Sequence, residues 1–398
     1  MIRSSARIRN WGLVLGVAVV SLAGCWSALD GLQVATPSAE PAAKAFCDGM
    51  KVTLLCETPG ATVRYTTDGT DPGASSMEYI EPITVTATTT LKARGFAPGM
   101  LPSEVLTITF TAASGYQFSL QWGEPGEGAE QFMSPFCVAV DATENLFVAD
   151  SFNNRIQNFA QDGTPMALWG EFGAGEGQFS RPLGLATDRE GNVYVADTFN
   201  HRIQKFTGEG QFLAKWGVLG IGDGQLSEPG ALAVDASGNV YVADTRNHRI
   251  QKFDPSGLFM TKWGTYGTGE GQLIYPYGIA VDSAGNVHVA DTFNHRIQTF
   301  TADGTFVAGW GENGAGDGQF NRPFGLAVDG VGNLFVADSV NNRVQKFDSA
   351  GAFLTQFGST GDGDGQFHFL TGVAVGPSGA VYASDNLTNR IQKFVPGN

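Results

Sequence analysis

Six aspartates recur 47 residues apart: Asp150, Asp197, Asp244, Asp291, Asp338 and Asp385. Each stands five residues before an arginine, at Arg155, Arg202, Arg249, Arg296, Arg343 and Arg390. A carboxylate opposite a guanidinium fork makes a strong charge-assisted pair. An acid catalyst is needed once, so six equal copies point to a structural staple between two strands. Glu176, Asp223, Glu270, Asp317 and Asp364 recur in another loop, mostly one carboxylate per loop. The spaced oxygen ligands of a calcium loop are missing there, and these read as solvated turn residues. No nucleophile–base motif stands out, and neither a cofactor nor a metal site is expected.

The elements that would position these groups follow from the repeat. Twelve-residue stretches such as "VADTFNHRIQKF" (195–206) occur six times. Around each lie four strand-like runs, separated by glycine-bearing turns suited to positive φ. In sequence order these are a "GLAVD"-like strand a, a "NVYVAD"-like strand b, a "RIQKF"-like strand c and a "FLAKWG"-like strand d. Units a–b–c occur six times, but the first d strand, "YQFSLQW" (116–122), precedes every a strand, and the last unit stops after c. The early strand is therefore expected beside the last strand c, closing a ring of six sectors over residues 116–398. That count predicts an all-β, six-bladed β-propeller.

The repeat resembles the NHL family, most clearly in "GIAVDSAGNVHVADTFNHRIQTF" (278–300). The resemblance implies the propeller fold but leaves function open, since relatives include binding domains, lyases and lactonase-like enzymes. His201, His248 and His295 hold equivalent places in adjacent sectors. Strand b lies at least one strand spacing outside strand a, so these imidazoles should be on the order of 10 Å or more apart. Zinc needs each nitrogen at about 2 Å, so they do not form the histidine cluster of a zinc-dependent lyase.

Residues 46–112 alternate apolar and polar residues around the turn "DGTDPG" (68–73) and predict a small Ig-like β-sandwich. "TPGATVRYTTDGTDP" (58–72), "TTTLKARGF" (88–96) and "SEVLTITFT" (103–111) resemble the C-terminal domain of chitobiases and β-hexosaminidases. In such enzymes that domain is accessory, so the resemblance implies no hydrolase. Tyr65, Tyr79 and Phe96 are expected in its core.

Three arginines precede the apolar run at 11–25, which is too short to span a bilayer comfortably. "LAGC" (22–25) resembles the lipobox of bacterial lipoproteins. The resemblance implies that residues 1–24 are a signal peptide and that Cys25 is lipidated after cleavage. Trp26, rather than aspartate, follows the cysteine, which favours an outer membrane where the cell has two. Residues 25–45 then read as the lipidated cysteine and a flexible tether. Cys47 and Cys56 are either a disulfide or two buried thiols in an exported protein. Cys137 reads as a small packed residue. The net charge of −15 becomes −18 once residues 1–24, which hold three arginines and no acid, are removed. Such a field repels phosphate backbones, and nucleic acid is not expected as a partner.

A repeat binds through what differs between its copies. The b–c loop tips carry Phe152, Phe199, Arg246, Phe293, Val340 and Leu387. The start of strand a carries Phe136, Tyr277 and Phe324, with Tyr275, Arg181, Arg322 and His368 nearby. Since alternate loops of an antiparallel blade share a face, these residues are expected to ring one channel mouth. The apolar tips either fold down to cap the blades or form a binding surface. The functional expectation is an envelope-anchored, non-catalytic protein that binds a protein, peptide or envelope glycan. The competing one is a propeller enzyme, a metal-dependent lyase or a lactonase-like hydrolase.

Overall fold

The structure, a computed structural model, describes residues 33–40, 45–46, 50–85, 88–112 and 115–397. The signal segment, Cys25 and Cys47 lie outside these residues, and so does the Cys47–Cys56 pairing.

The small domain is a sandwich of two sheets. Strands Ser38–Glu40, Met50–Leu55 and Ile83–Val85 form one sheet. Ala45–Phe46, Leu106–Ala112, Thr89–Phe96, Thr62–Thr66 and Met77–Glu78 form the other, in that spatial order. Val52 and Leu54 of the first meet Leu91, Ala93 and Phe110 of the second in one core, with Tyr65 and Tyr79 packed against it. Part of the span expected as a tether, 25–45, is folded instead. Val34 is buried and its N–H donates to the Leu101 carbonyl (3.0 Å), and Ser38–Glu40 pair with Thr53–Leu55. Residues 33–40 therefore belong to the sandwich.

Residues 116–396 form six four-stranded antiparallel blades. Blade 2 shows the plan: strand a is Pro182–Thr187, b is Val193–Asp197, c is Arg202–Phe206 and d is Phe212–Trp216. Strand b is buried on both faces, which is why it reads as an almost unbroken apolar run. Strand d alternates between exposed and half-buried residues at the rim. Blade 6 takes its d strand from Tyr116–Trp122, which pairs with Arg390–Pro396, for example Gln392 with Gln121. This is the closing strand that the count of runs required.

Six apolar clusters fill the six seams between blades. Each strand-d tryptophan lies over the c–d hairpin glycine of the following blade. A Cβ at Gly210 (φ 87°) would sit 2.6 Å from the Trp169 ring, so any side chain there would collide as well as strain the turn. Around the axis, Gly184, Gly325 and Gly372 let adjacent a strands approach: a Cβ on any of them would meet backbone of the next blade within 3 Å.

The seam between blades 6 and 1 departs from the repeat. Blades 1 to 5 end strand a with an aspartate whose carboxylate closes the a–b hairpin. Asp188, for example, accepts the N–H groups of Glu190 and Asn192 and the Tyr194 hydroxyl (3.1, 2.8 and 3.1 Å). In blade 6 that position is Gly376. Glu144 of blade 1 reaches into the space a side chain would fill there and accepts the N–H of Ser378. It does so from a positive φ of 69°, at a place where every other blade has glycine. A Cβ at Gly376 would lie 2.5 Å from its Oε2.

Candidate functional site: the loop-rich face

The staple residues do more than join two strands. Asp197 Oδ2 accepts from Arg202 Nε (2.7 Å), Asn200 Nδ2 (2.9 Å) and Gln204 Nε2 (3.1 Å), while Oδ1 accepts the Ser180 N–H (2.7 Å). Arg202 also donates to the carbonyls of Ala174, Gly175 and Gln178 in the preceding d–a loop. The cluster pins that loop beside the b–c loop. The other five pairs have the same Nε–Oδ2 contact, at 2.6–2.8 Å in blades 1, 3, 4 and 5 and 3.4 Å in blade 6. Burial pushes the Asp197 and Asp338 carboxyls above the usual aspartate range. The glutamines of "RIQ" and "GQF" complete the cluster, a role their exact repetition signals but their chemistry alone does not.

The histidines in the b–c loops are hydrogen-bond acceptors between blades. His201, His248 and His295 follow short 3₁₀ turns in left-handed conformation, φ 54–55°. Their Nδ1 atoms accept the N–H groups of Glu228, Tyr275 and Arg322 in the next blade (3.1–3.2 Å). Asn154 and Asn389 do the same with Oδ1. Burial lowers the pKa of His248 and His295. Among the described residues no group of three or more His, Cys, Asp or Glu is placed to hold an ion. Cys137 lines the axial cavity, and burial pushes its thiol up to about 11.

The turns that carry these histidines, and the turn of blade 1 that carries Asn154, hold the tip residues outward. Phe152, Phe199 and Phe293 are 51, 43 and 41% exposed, so they do not fold down as caps. Arg181 stands between two of them, its guanidinium 4.0 Å from the Phe152 ring and 5.2 Å from Phe199. Closer to the axis, Phe136 of blade 1 reaches Tyr277 and Phe324 of blades 4 and 5 across the channel (6.5 and 5.8 Å between centroids). Tyr277 stacks on Phe324 at 4.9 Å and lies over Gly230, where a Cβ would come within 2.8 Å of its ring. Phe136 and Tyr277 thus partition an axial cavity of about 200 Å³, lined by the a strands, from a groove of about 340 Å³ above it.

Of the residues singled out in the sequence, the groove collects Phe136, Phe152, Arg181, Phe199, Tyr277 and Phe324. Tyr275, Phe293 and Arg322 form a separate cluster, with Phe293 5.3 Å from Tyr275 and 4.9 Å from the Arg322 guanidinium. The expected continuous ring is broken elsewhere. Arg246 is held by Glu228 (2.9 Å) and His368 by Asp362 (2.9 Å), while Val340 and Leu387 stand exposed outside the groove. Leu183, which follows the d–a proline of blade 2 as Phe136 does in blade 1, lines it too, and sequence reasoning missed Glu228, Phe369, Ser134 and Asn386. Phe369 sits in the one d–a loop without proline, and that irregularity was its only signal.

Family models match two regions of the protein. The chitobiase/beta-hexosaminidase C-terminal domain matches residues 41–107. The NHL repeat matches residues 179–206, 226–253 and 320–347, and a beta-propeller repeat matches 262–290. No curated protein matches the sequence. Among solved structures, a structural-genomics protein of unknown function from Bacteroides thetaiotaomicron is similar at 16% identity and TM-score 0.60, over 94% of this protein and all of that one. A gluconolactonase from Xanthomonas campestris is similar at 17% identity and TM-score 0.50, over 66% of this protein and 87% of that one. A virginiamycin B lyase from Staphylococcus aureus follows at 12% identity and TM-score 0.47, over 84 and 99%. At such identities the likeness is one of fold. The family matches and the six blades together give the protein an NHL-type propeller preceded in sequence by a domain of the chitobiase/beta-hexosaminidase C-terminal type.

Proposed function

We propose that this protein is a lipid-anchored binding protein of the bacterial cell envelope, whose loop-rich propeller face engages a protein or peptide. The observation that carries the reading is the groove beneath Phe152 and Phe199. There the repeat gives way to unlike residues, aromatic rings line a concave surface, and two phenylalanines stand exposed at its rim. Aromatic side chains and arginine are the usual anchors of protein interfaces. The sandwich would serve as a spacer or an auxiliary adhesion module. With Cys25 lipidated, residues 26–32 would hold it within about 25 Å of the membrane surface.

Capture from envelope extract tests this. The full-length protein should retain a partner that the Phe199→Ala plus Phe293→Ala variant loses. Equal capture by both would retire the binding face. In the same cells, Cys25→Ser should move the protein from the membrane to the soluble fraction, and membrane retention would remove the anchor. The competing reading, a metal-dependent lyase or lactonase-like hydrolase, predicts a stoichiometric ion in the purified protein, released only by chelation.

A further inference from the structure

The groove has an unpaired cation in its wall. Every strand-c arginine is matched to an aspartate, and Arg246 is matched to Glu228. The Arg181 guanidinium, by contrast, makes no hydrogen bond or ion pair among the described residues, where only its backbone N–H is bonded, to Asn154 Oδ1 (2.8 Å). Arg322 is similarly stacked on one ring, but it does not line the cavity. The Phe152 and Phe199 rings hold the Arg181 guanidinium between them. A guanidinium offers its N–H donors in a planar fork that matches a carboxylate. Beside it lies the apolar Tyr277–Phe324 stack, while Glu228, the carboxylate in the lining, is already paired with Arg246.

Resting on the reading of this face as a binding surface, we infer the ligand's chemistry. It is a peptide segment in which one carboxylate adjoins a bulky apolar side group, the carboxylate forked by Arg181 and the apolar group seated on the aromatic floor. A cavity of about 340 Å³ has room for little more than that group and its backbone. The net charge of −15 repels polyanions at a distance, which favours a single carboxylate over a phosphate-rich ligand. Either the free C-terminus of a polypeptide or an Asp or Glu next to an apolar residue supplies this chemistry.

Three fluorescent hexapeptides separate the sources: one ending in Phe with a free carboxylate, its C-terminal amide, and an amidated peptide with an Asp-Phe pair. The full-length wild-type protein should bind at least one carboxylate peptide about tenfold or more tighter than the plain amide, the size of a charged hydrogen-bond pair. R181Q should erase that preference, so that acid and amide bind alike. R181K, which keeps the charge without the fork, should fall between, and covers the case in which R181Q fails to fold. Equal binding of acid and amide, a preference that survives R181Q, or no binding of any peptide would each overturn the carboxylate assignment. Envelope capture that is lost with Phe199→Ala plus Phe293→Ala but kept by R181Q would overturn it while leaving the binding face standing.

Discussion

At the residue scale, the three b–c histidines work only when neutral. Nδ1 accepts a backbone N–H in each, so protonation removes one bond to the next blade per histidine. Burial opposes the charged form of His248, against the pull of Asp244 and Asp291. In His295 burial and Arg322 together outweigh the hydrogen bond with the Phe320 backbone and the charge of Asp338. His288, buried with Nδ1 2.9 Å from Thr299 Oγ1, is lowered by burial against Asp282. A histidine whose folded pKa lies below its unfolded value contributes stability that is present above about pH 6.5 and is lost as pH falls through the folded value. Melting temperature should therefore drop between neutral pH and about pH 5. Blades 1 and 6 place an asparagine acceptor at the same position, so the triple variant His201→Asn, His248→Asn, His295→Asn should fold and melt with a flatter acid limb. An unchanged pH profile would rule out the acceptor role. The sequence displayed these histidines in equivalent places and excluded a shared ion. It could not show an acceptor role, because the partner is a backbone N–H in another blade.

At the scale of elements, the a–b hairpins of blades 1 and 6 have exchanged a part. Burial, with the Glu144 carboxylate beside the Tyr382 hydroxyl, pushes the phenol pKa upward. Glu144→Gly relieves a left-handed residue but strips the Ser378 N–H of a charged acceptor. Loss of the charged bond is the larger effect, and the variant should be destabilised by about 1–2 kcal/mol. Adding Gly376→Asp restores the hairpin of the other blades and should recover most of that loss. Gly376→Asp alone puts a second carboxylate against Glu144 and should be the least stable of the three. Additive effects in denaturant titrations would contradict the exchange. The 47-residue period made the number, order and closure of the blades legible, but a repeat cannot announce a compensation that crosses a seam. The same limit hid residues 33–40, where Pro37 and Ala39 alternate into the core as small residues that carry little apolar signal. The groove was legible in part. The tip and strand-a aromatics stand out as departures from the repeat, whereas the pairing of Arg181 with two rings depends on turn conformation.

At the scale of the molecule, stability concentrates in ring closure. Removing residues 390–398 would leave Tyr116–Trp122 without its partner and uncover the apolar seam between Phe357, Phe367 and Phe394. The truncated protein should lose cooperative unfolding and be cut rapidly by protease, and unfolding like wild type would refute the role of this strand. Arg390 and its hydrogen-bond partner Gln121 are 269 residues apart. A ribosome therefore delivers one half of the clasp long before the other, and no partly made polypeptide owns a finished circle. The groove spans opposite sectors, through Phe136 and Tyr277, so recognition arises only once the strand Arg390–Pro396 has been made and paired.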